Sequence, residues 1–169
     1  MSYTSPNGQP QGYANSSVNK VREALMSEVI AINGYAEHIA NSNMQVVNDV
    51  WKRIMQDEKD HFGMFLELIR KYDPVEYQQY QIHMRENVTV TPVQSYNPSY
   101  DKQLILNNIR SDIKGELEAI VLYEQHQDEI PHQDIKDTFE KVMNDEKSHT
   151  EHLTNLLLKY DPDKYNNLK

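Results

Sequence analysis

The sequence predicts an all-α chain, a four-helix bundle made of two duplicated antiparallel hairpins joined by a long crossover. Three observations carry this. Four stretches repeat their apolar residues at helical spacing. The second pair of stretches repeats the first at an offset of 88 residues. Only five glycines are present, and "NVTVTPV" at 87–93 is the sole strand-like run.

The first helix is expected over about 19–40, with Val21, Leu25, Glu28, Ile32, Tyr35 and Ile39 on one face. The second runs over about 45–72, with Trp51, Ile54, Met55, Glu58, His61, Phe65 and Leu68 aligned. The third runs over about 101–128, with Ile109, Ile113, Glu116, Ile120 and Tyr123 together. The fourth starts near Pro131, a favourable first helical position, and ends near Tyr160. Its face carries Phe139, Val142, Met143, Glu146, His149, Leu153 and Leu156. The turns at "NSN" (41–43) and "DEIP" (128–131) are short, so each pair of helices folds back as a hairpin. Between the hairpins, about 73–101 is long for a connection within a compact domain. In extended form it spans a bundle of roughly 40 Å.

At 169 residues the chain fits one domain with a buried core. Residues 1–16 read as a disordered polar tail and 17–169 as the bundle domain, with the second hairpin at about 102–160. The tail lacks the basic start and apolar core of a signal peptide. No apolar run reaches the roughly 18 residues of a membrane span. The formal charge of −9 argues against nucleic acid or an anionic membrane as partner. No cysteine is present, which excludes disulfides, thiolate metal sites and a catalytic thiol, and fits a cytoplasmic setting.

Laying 20–81 on 108–169 gives 19 identities in 62 positions without a gap. "DEKDH" (57–61) falls on "DEKSH" (145–149), Glu28 on Glu116, Tyr35 on Tyr123 and His38 on His126. "KYDP" recurs at 71–74 and 159–162, where Pro ends a helix. From Glu28 to the turn is about 14 residues, roughly 21 Å of helix, and the return to Glu58 is nearly the same. Glu28 and Glu58 therefore face each other at one level, as do Glu116 and Glu146. His61 and His149 follow their Glu by three residues and share its face. Packing the hairpins gathers four carboxylates and two imidazoles in the core.

Uncompensated, that cluster is costly, at several kcal/mol for each buried carboxylate. Two divalent cations balance the four Glu charges. Mixed carboxylate and imidazole donors suit iron, manganese or zinc better than calcium or magnesium. A Glu from each of two helices plus Glu-x-x-His from each of the other two is the dinuclear carboxylate pattern of helical bundles. A lone Glu-x-x-His is weak: "EIPH" (129–132) also matches, but crosses the turn. No Lys or Arg sits on the stripes beside the acids, which argues against a plain buried salt-bridge core.

Four further residues are candidates for supporting the six. Tyr35 and Tyr123 lie two turns beyond Glu28 and Glu116 and can bond the ligands or pack as core. Asp57 and Asp145 are candidates to accept the second N–H of a ligand histidine. His38 and His126 read as hairpin-end structure, and His152 as a poor ligand because Met64 takes its place in the first half.

On Glu28, "DEKDH", "GELEAIVLY" (115–123) and "DEKSH", the chain resembles the ferritin-like diiron-carboxylate superfamily, and within it the rubrerythrin-like group, over about 17–165. The resemblance implies two iron ions, with manganese or zinc as substitutes. Glu58 and Glu146 would bridge, and Glu28, Glu116, His61 and His149 would be terminal ligands. It implies Fe(II), O2 or hydrogen peroxide as reactants, an external electron donor and a homodimer. Two departures stand out. With no cysteine there is no rubredoxin iron. Ile113 (Leu25 in the first half) occupies the place of an additional Glu in rubrerythrins. Six ligands point to a ferroxidase or general dinuclear oxidase. Two other expectations are a structural coat or shell protein, motivated by polar runs such as "YQQYQIH" (77–83), and manganese catalase-like chemistry.

Overall fold

The structure, a computed structural model, describes residues 16–83 and 101–162. Five helices follow in order: α1 Ser17–Ala40, α2 Gln45–Tyr72, α3 Pro74–His83, α4 Lys102–Glu129 and α5 Gln133–Tyr160. No strand occurs among the described residues. Of the expected tail only Ser16 is described, and "NVTVTPV" lies outside the described residues. Among the described residues no helix is long and apolar enough to cross a membrane.

Side-chain caps set two of the starts. The Ser16 hydroxyl accepts from the Asn19 N–H at 3.1 Å, and Asp101 accepts from the N–H groups of Gln103 and Leu104 at 3.0 and 3.1 Å. Each satisfies donors that the first helical turn leaves free. The start of α5 corrects the sequence expectation. Pro131 precedes the helix, whose N-cap is His132. Pro131 holds Ile130 extended, and the Ile130 side chain is buried as a plug in the core.

The crossover also differs from an extended strand of chain. Its first part is the helix α3, which has no buried residue and packs beside α2. Pro74 opens α3 at the position where its missing N–H costs nothing. Asp73 accepts from the N–H groups of Val75 and Glu76 at 3.0 and 3.2 Å. "KYDP" therefore does more than end a helix. Asp73 also pairs with Arg22, which donates to Asn19 at 3.0 Å. The duplicate is complete: Arg110 bonds Asn107 at 3.1 Å and pairs with Asp161. Each hairpin is thus clasped between its first helix and the end of its second.

Within each hairpin, α1 packs on α2 and α4 on α5. The hairpins then close with α1 against α4 and α2 against α5. Both closures are antiparallel. Lys20 meets Glu129, Glu23 meets His126 and His38 meets Asp112 along the first. His149 meets Asp57, His61 meets Asp145 and Asp134 meets Lys71 along the second.

The apolar core is in two parts. One holds Val21, Ala24, Phe65, Tyr123, Phe139 and Val142. The other holds Tyr35, Trp51, Ile54, Ile109, Leu153 and Leu156. On every long helix a Glu, or a Glu and a His, stands between the two parts. The expected faces of α2 and α5 are buried, apart from a half-buried Met55. On α1 and α4 the buried stripe is turned toward Ala24 and Ala119, which leaves Ile32, Ile113 and Ile120 half-buried. The small alanines occupy the seam where α1 faces α4, and the bulkier isoleucines are displaced to its edge.

Candidate metal centre

Glu28, Glu58, His61, Glu116, Glu146 and His149 form one polar layer between the two apolar clusters. None is more than 5% exposed, so water solvates none of the charges. The six fall into two overlapping groups. In Glu28, Glu58, His61 and Glu146, one donor atom from each residue lies within 4.8 Å of the others. The same holds for Glu58, Glu116, Glu146 and His149. Glu58 and Glu146 belong to both. The antiparallel register of α2 on α5 brings these two acids together, while α1 and α4 each add one further acid.

The imidazoles are aimed by the opposite hairpin. His61 Nε2 lies 3.2 Å from Asp145 Oδ2 on α5, and His149 Nε2 lies 3.3 Å from Asp57 Oδ2 on α2. A carboxylate there draws the N–H onto Nε2 and turns Nδ1 into the layer. His61 Nδ1 has oxygens of Glu146, Glu58 and Glu28 at 3.4, 3.5 and 3.6 Å. His149 Nδ1 has oxygens of Glu146, Glu58 and Glu116 at 3.0, 3.1 and 3.5 Å. The two rings stack at 6.0 Å between centroids.

The tyrosines are also exchanged between hairpins. Tyr35 on α1 donates its hydroxyl proton to Glu116 on α4, and Tyr123 on α4 donates to Glu28 on α1. Burial, with the neighbouring carboxylates, raises both phenols well above their ordinary range. They remain donors at any physiological pH.

The electrostatics divide the four acids by pairs. Burial pushes Glu28 and Glu116 up, and the facing acids add to it. Burial also opposes ionisation of Glu58, but hydrogen bonds from His149 and His61 hold it down at about 2. Glu146 is lowered in the same way by His149 and His61 against its own desolvation. For the histidines burial disfavours the cation, yet the surrounding carboxylates win. They push His149 up to about 12 and raise His61 strongly as well. Without a metal, these shifts favour protons on the imidazoles and on Glu28 and Glu116 over protons on Glu58 and Glu146.

The donor set fits two divalent cations. His61 Nδ1 is buried with its nearest carboxylate oxygen at 3.4 Å, too long for a well-made hydrogen bond. An atom so poorly satisfied is uncommon in a native core and calls for a partner. It lies among oxygens of Glu28, Glu58 and Glu146, where a cation would satisfy it. Hard carboxylate oxygens with one imidazole per ion match iron, manganese or zinc.

Other sequence candidates lie outside the layer. His38 contacts Asp112 at 3.1 Å and lies 5.4 Å from the Trp51 ring. His126 contacts Glu23 at 3.0 Å. His152 lies 3.4 Å from Arg53. The "EIPH" match separates, with Glu129 paired to Lys20 and His132 stacked at 4.7 Å on Tyr72. Ile113, where rubrerythrins place an additional Glu, packs against the apolar cluster.

Asp112 escaped sequence reasoning. It is largely buried, one turn before Glu116, and accepts from the Trp51 indole at 2.8 Å as well as contacting His38. Burial raises its carboxyl, with His38 and Trp51 acting against the rise. An acid four residues before Glu116 was a visible signal. The repeat concealed it, because the first half has Ala24 there and Phe139 in place of Trp51 in the second.

Comparison with known proteins agrees with this architecture. A hypothetical protein from Pyrococcus furiosus shares the fold with a TM-score of 0.63 at 16% identity, over 89% of this chain and 94% of its own. A manganese catalase from Anabaena PCC7120 does so with a TM-score of 0.64 at 17% identity, over 100% of this chain and 86% of its own. No curated protein matches the chain. The Rubrerythrin family model matches residues 19–157, which hold all but the outer ends of the two hairpins and all six residues of the layer, and the chain belongs to that family.

Proposed function

We propose that Glu28, Glu58, His61, Glu116, Glu146 and His149 hold two iron ions, and that the centre reduces hydrogen peroxide and oxidises Fe(II) supplied as substrate. The observation that supports it is the pair of donor groups sharing Glu58 and Glu146 in a layer of almost wholly buried residues. Glu58 and Glu146 are the bridging candidates because each reaches both groups. Glu28 and Glu116 complete one group each, oriented by Tyr123 and Tyr35. Asp145 and Asp57 hold His61 and His149 in the tautomer that offers Nδ1. Bound in pairs, iron supplies two electrons at one place, which matches the two-electron reduction of peroxide. The protein's part is to orient the donors.

Anaerobic Fe(II) titration followed by metal analysis tests the reading. Two ions per chain are expected, with consumption of added hydrogen peroxide, and Glu58→Ala or Glu146→Ala should abolish both. Absence of bound metal after loading would refute it. Manganese-loaded protein that evolves oxygen from peroxide, while the iron form stays inactive, would instead assign catalase chemistry to the same six residues.

A further inference from the structure

A cleft of about 280 Å³ opens between α1 and α4 and ends on the polar layer. Its floor is made by Glu28, Glu58, Glu116 and Glu146. Its walls include Ile30, Ala31 and Gly34 on α1 and Gly115 and Ala119 on α4, together with the polar Ser27, His38, Ser111, Asp112, Lys114 and Glu118. A site that admits only hydrogen peroxide needs little more room than a water, roughly 10–15 Å³. This cleft is many times larger and approaches the size of pockets that take small organic ligands, roughly 300 Å³ and up.

The wall chemistry narrows the occupant. Ile30, Ala31, Gly34, Gly115 and Ala119 give part of the wall an apolar surface beside the acids, so one end of a ligand meets apolar groups and the other meets polar ones. Lys114, a cation in the lining, is already paired with Glu118 at 2.6 Å. An anionic ligand would therefore find no free lysine or arginine along the described walls. The fitting shape is an uncharged molecule with a short hydrocarbon body and an oxygen head.

We infer that this cleft admits small uncharged organic hydroperoxides, with the hydrocarbon body against Ala31, Gly34, Gly115 and Ala119 and the hydroperoxide head at the floor. The inference rests on the proposed dinuclear centre and names a substrate class for it. The reaction breaks the O–O bond. Two electrons, one from each reduced ion of the proposed pair, and two protons from solvent convert ROOH to ROH and water.

The glycines permit a clean test. A Cβ at Gly34 or Gly115 would meet no atom within 4 Å, so a larger side chain at these two lining positions finds room without displacing the core. Replacing glycine also favours the helix. Gly63 has the same free space on α2 and lies outside the cleft, which makes Gly63→Leu the control. Iron-loaded wild type, Gly34→Leu, Gly115→Leu and Gly63→Leu are each given hydrogen peroxide and cumene hydroperoxide under single-turnover conditions. The ratio of the cumene hydroperoxide rate to the peroxide rate should fall at least about tenfold in the two cleft variants and stay unchanged in the control. A second readout needs no turnover. Cumyl alcohol, the unreactive product, should show saturation-transfer NMR contacts with metal-free wild type and lose them in the cleft variants. Hydrogen peroxide turnover without cumene hydroperoxide turnover, or cumyl alcohol contacts that survive both substitutions, would overturn the inference and leave the dinuclear centre standing. Failure to load iron would overturn the centre, and the substrate class with it.

Discussion

Asp145 on α5 stands 3.2 Å from Nε2 of His61 on α2, and the duplicate contact runs the other way, from Asp57 on α2 to His149 on α5 at 3.3 Å. Each Glu-x-x-His helix thus orients the histidine of its partner. The acids are the residues directly before Glu58 and Glu146, so one short sequence block serves two places in the layer.

Removing these acids should loosen metal without unfolding the chain. Asp57 and Asp145 are 45% and 39% exposed at their side chains, so their loss leaves no buried hole. Asp57→Ala and Asp145→Ala should each weaken metal binding by about 10–100-fold. Competition against a chelator of known affinity measures this. Unchanged affinity in both variants would show that the imidazoles are held by packing alone.

Tyr35→Phe and Tyr123→Phe remove the hydroxyl groups that donate to Glu116 and Glu28. Each buried acid then loses a hydrogen bond that nothing replaces. The metal-free protein should lose about 1–3 kcal/mol per substitution, read as a lower urea midpoint at constant slope.

Glu28→Gln and Glu116→Gln separate stability from binding. Burial raises both acids well above the ordinary carboxylate range. A neutral amide therefore resembles the protonated acid of the metal-free state, and metal-free stability should change little. The gain on adding metal should shrink sharply. For wild type that gain is about 2.7 kcal/mol when free metal is at a hundredfold excess over its dissociation constant. Thermal melts with and without metal give both quantities.

Metal uptake should release protons and strengthen as pH rises. Glu28, Glu116, His61 and His149 are all raised in the metal-free layer, so protons compete with an incoming cation at each of them. Metal-free stability runs the opposite way for the histidines. The His149 contribution is complete below its ordinary value of 6.5 and is lost as pH rises toward about 12. The Glu58 contribution is present above its ordinary 4.5 and is lost as pH falls toward about 2. Calorimetric titration in buffers of different ionisation enthalpy counts the released protons. A count near zero at neutral pH would contradict this protonation pattern.

The helical faces of α2 and α5, the duplication, and the levels of Glu28, Glu58, Glu116 and Glu146 were readable from the chain alone. These follow from periods of 3.6 residues and from equal distances to a turn, which are local quantities. The start of α5 was misplaced because Pro131 satisfies two rules, as a first helical residue and as a constraint on the residue before it. The buried Ile130 decided between them. The helix α3 was missed because a run with no buried face carries little periodicity.

Which hairpin supports which residue depended on tertiary structure. Nothing local distinguishes Tyr35 bonding Glu28 from Tyr35 bonding Glu116. The antiparallel register of α1 on α4 selects the second. The same register set Asp57 against His149, gave Trp51 and His38 a shared partner in Asp112, and opened the cleft over the small residues of α1 and α4. The sequence by itself determined which side chains turn inward and at what height, because backbone geometry repeats along each helix. Only the packed bundle decided their partners, because the register between helices is a property of whole surfaces meeting.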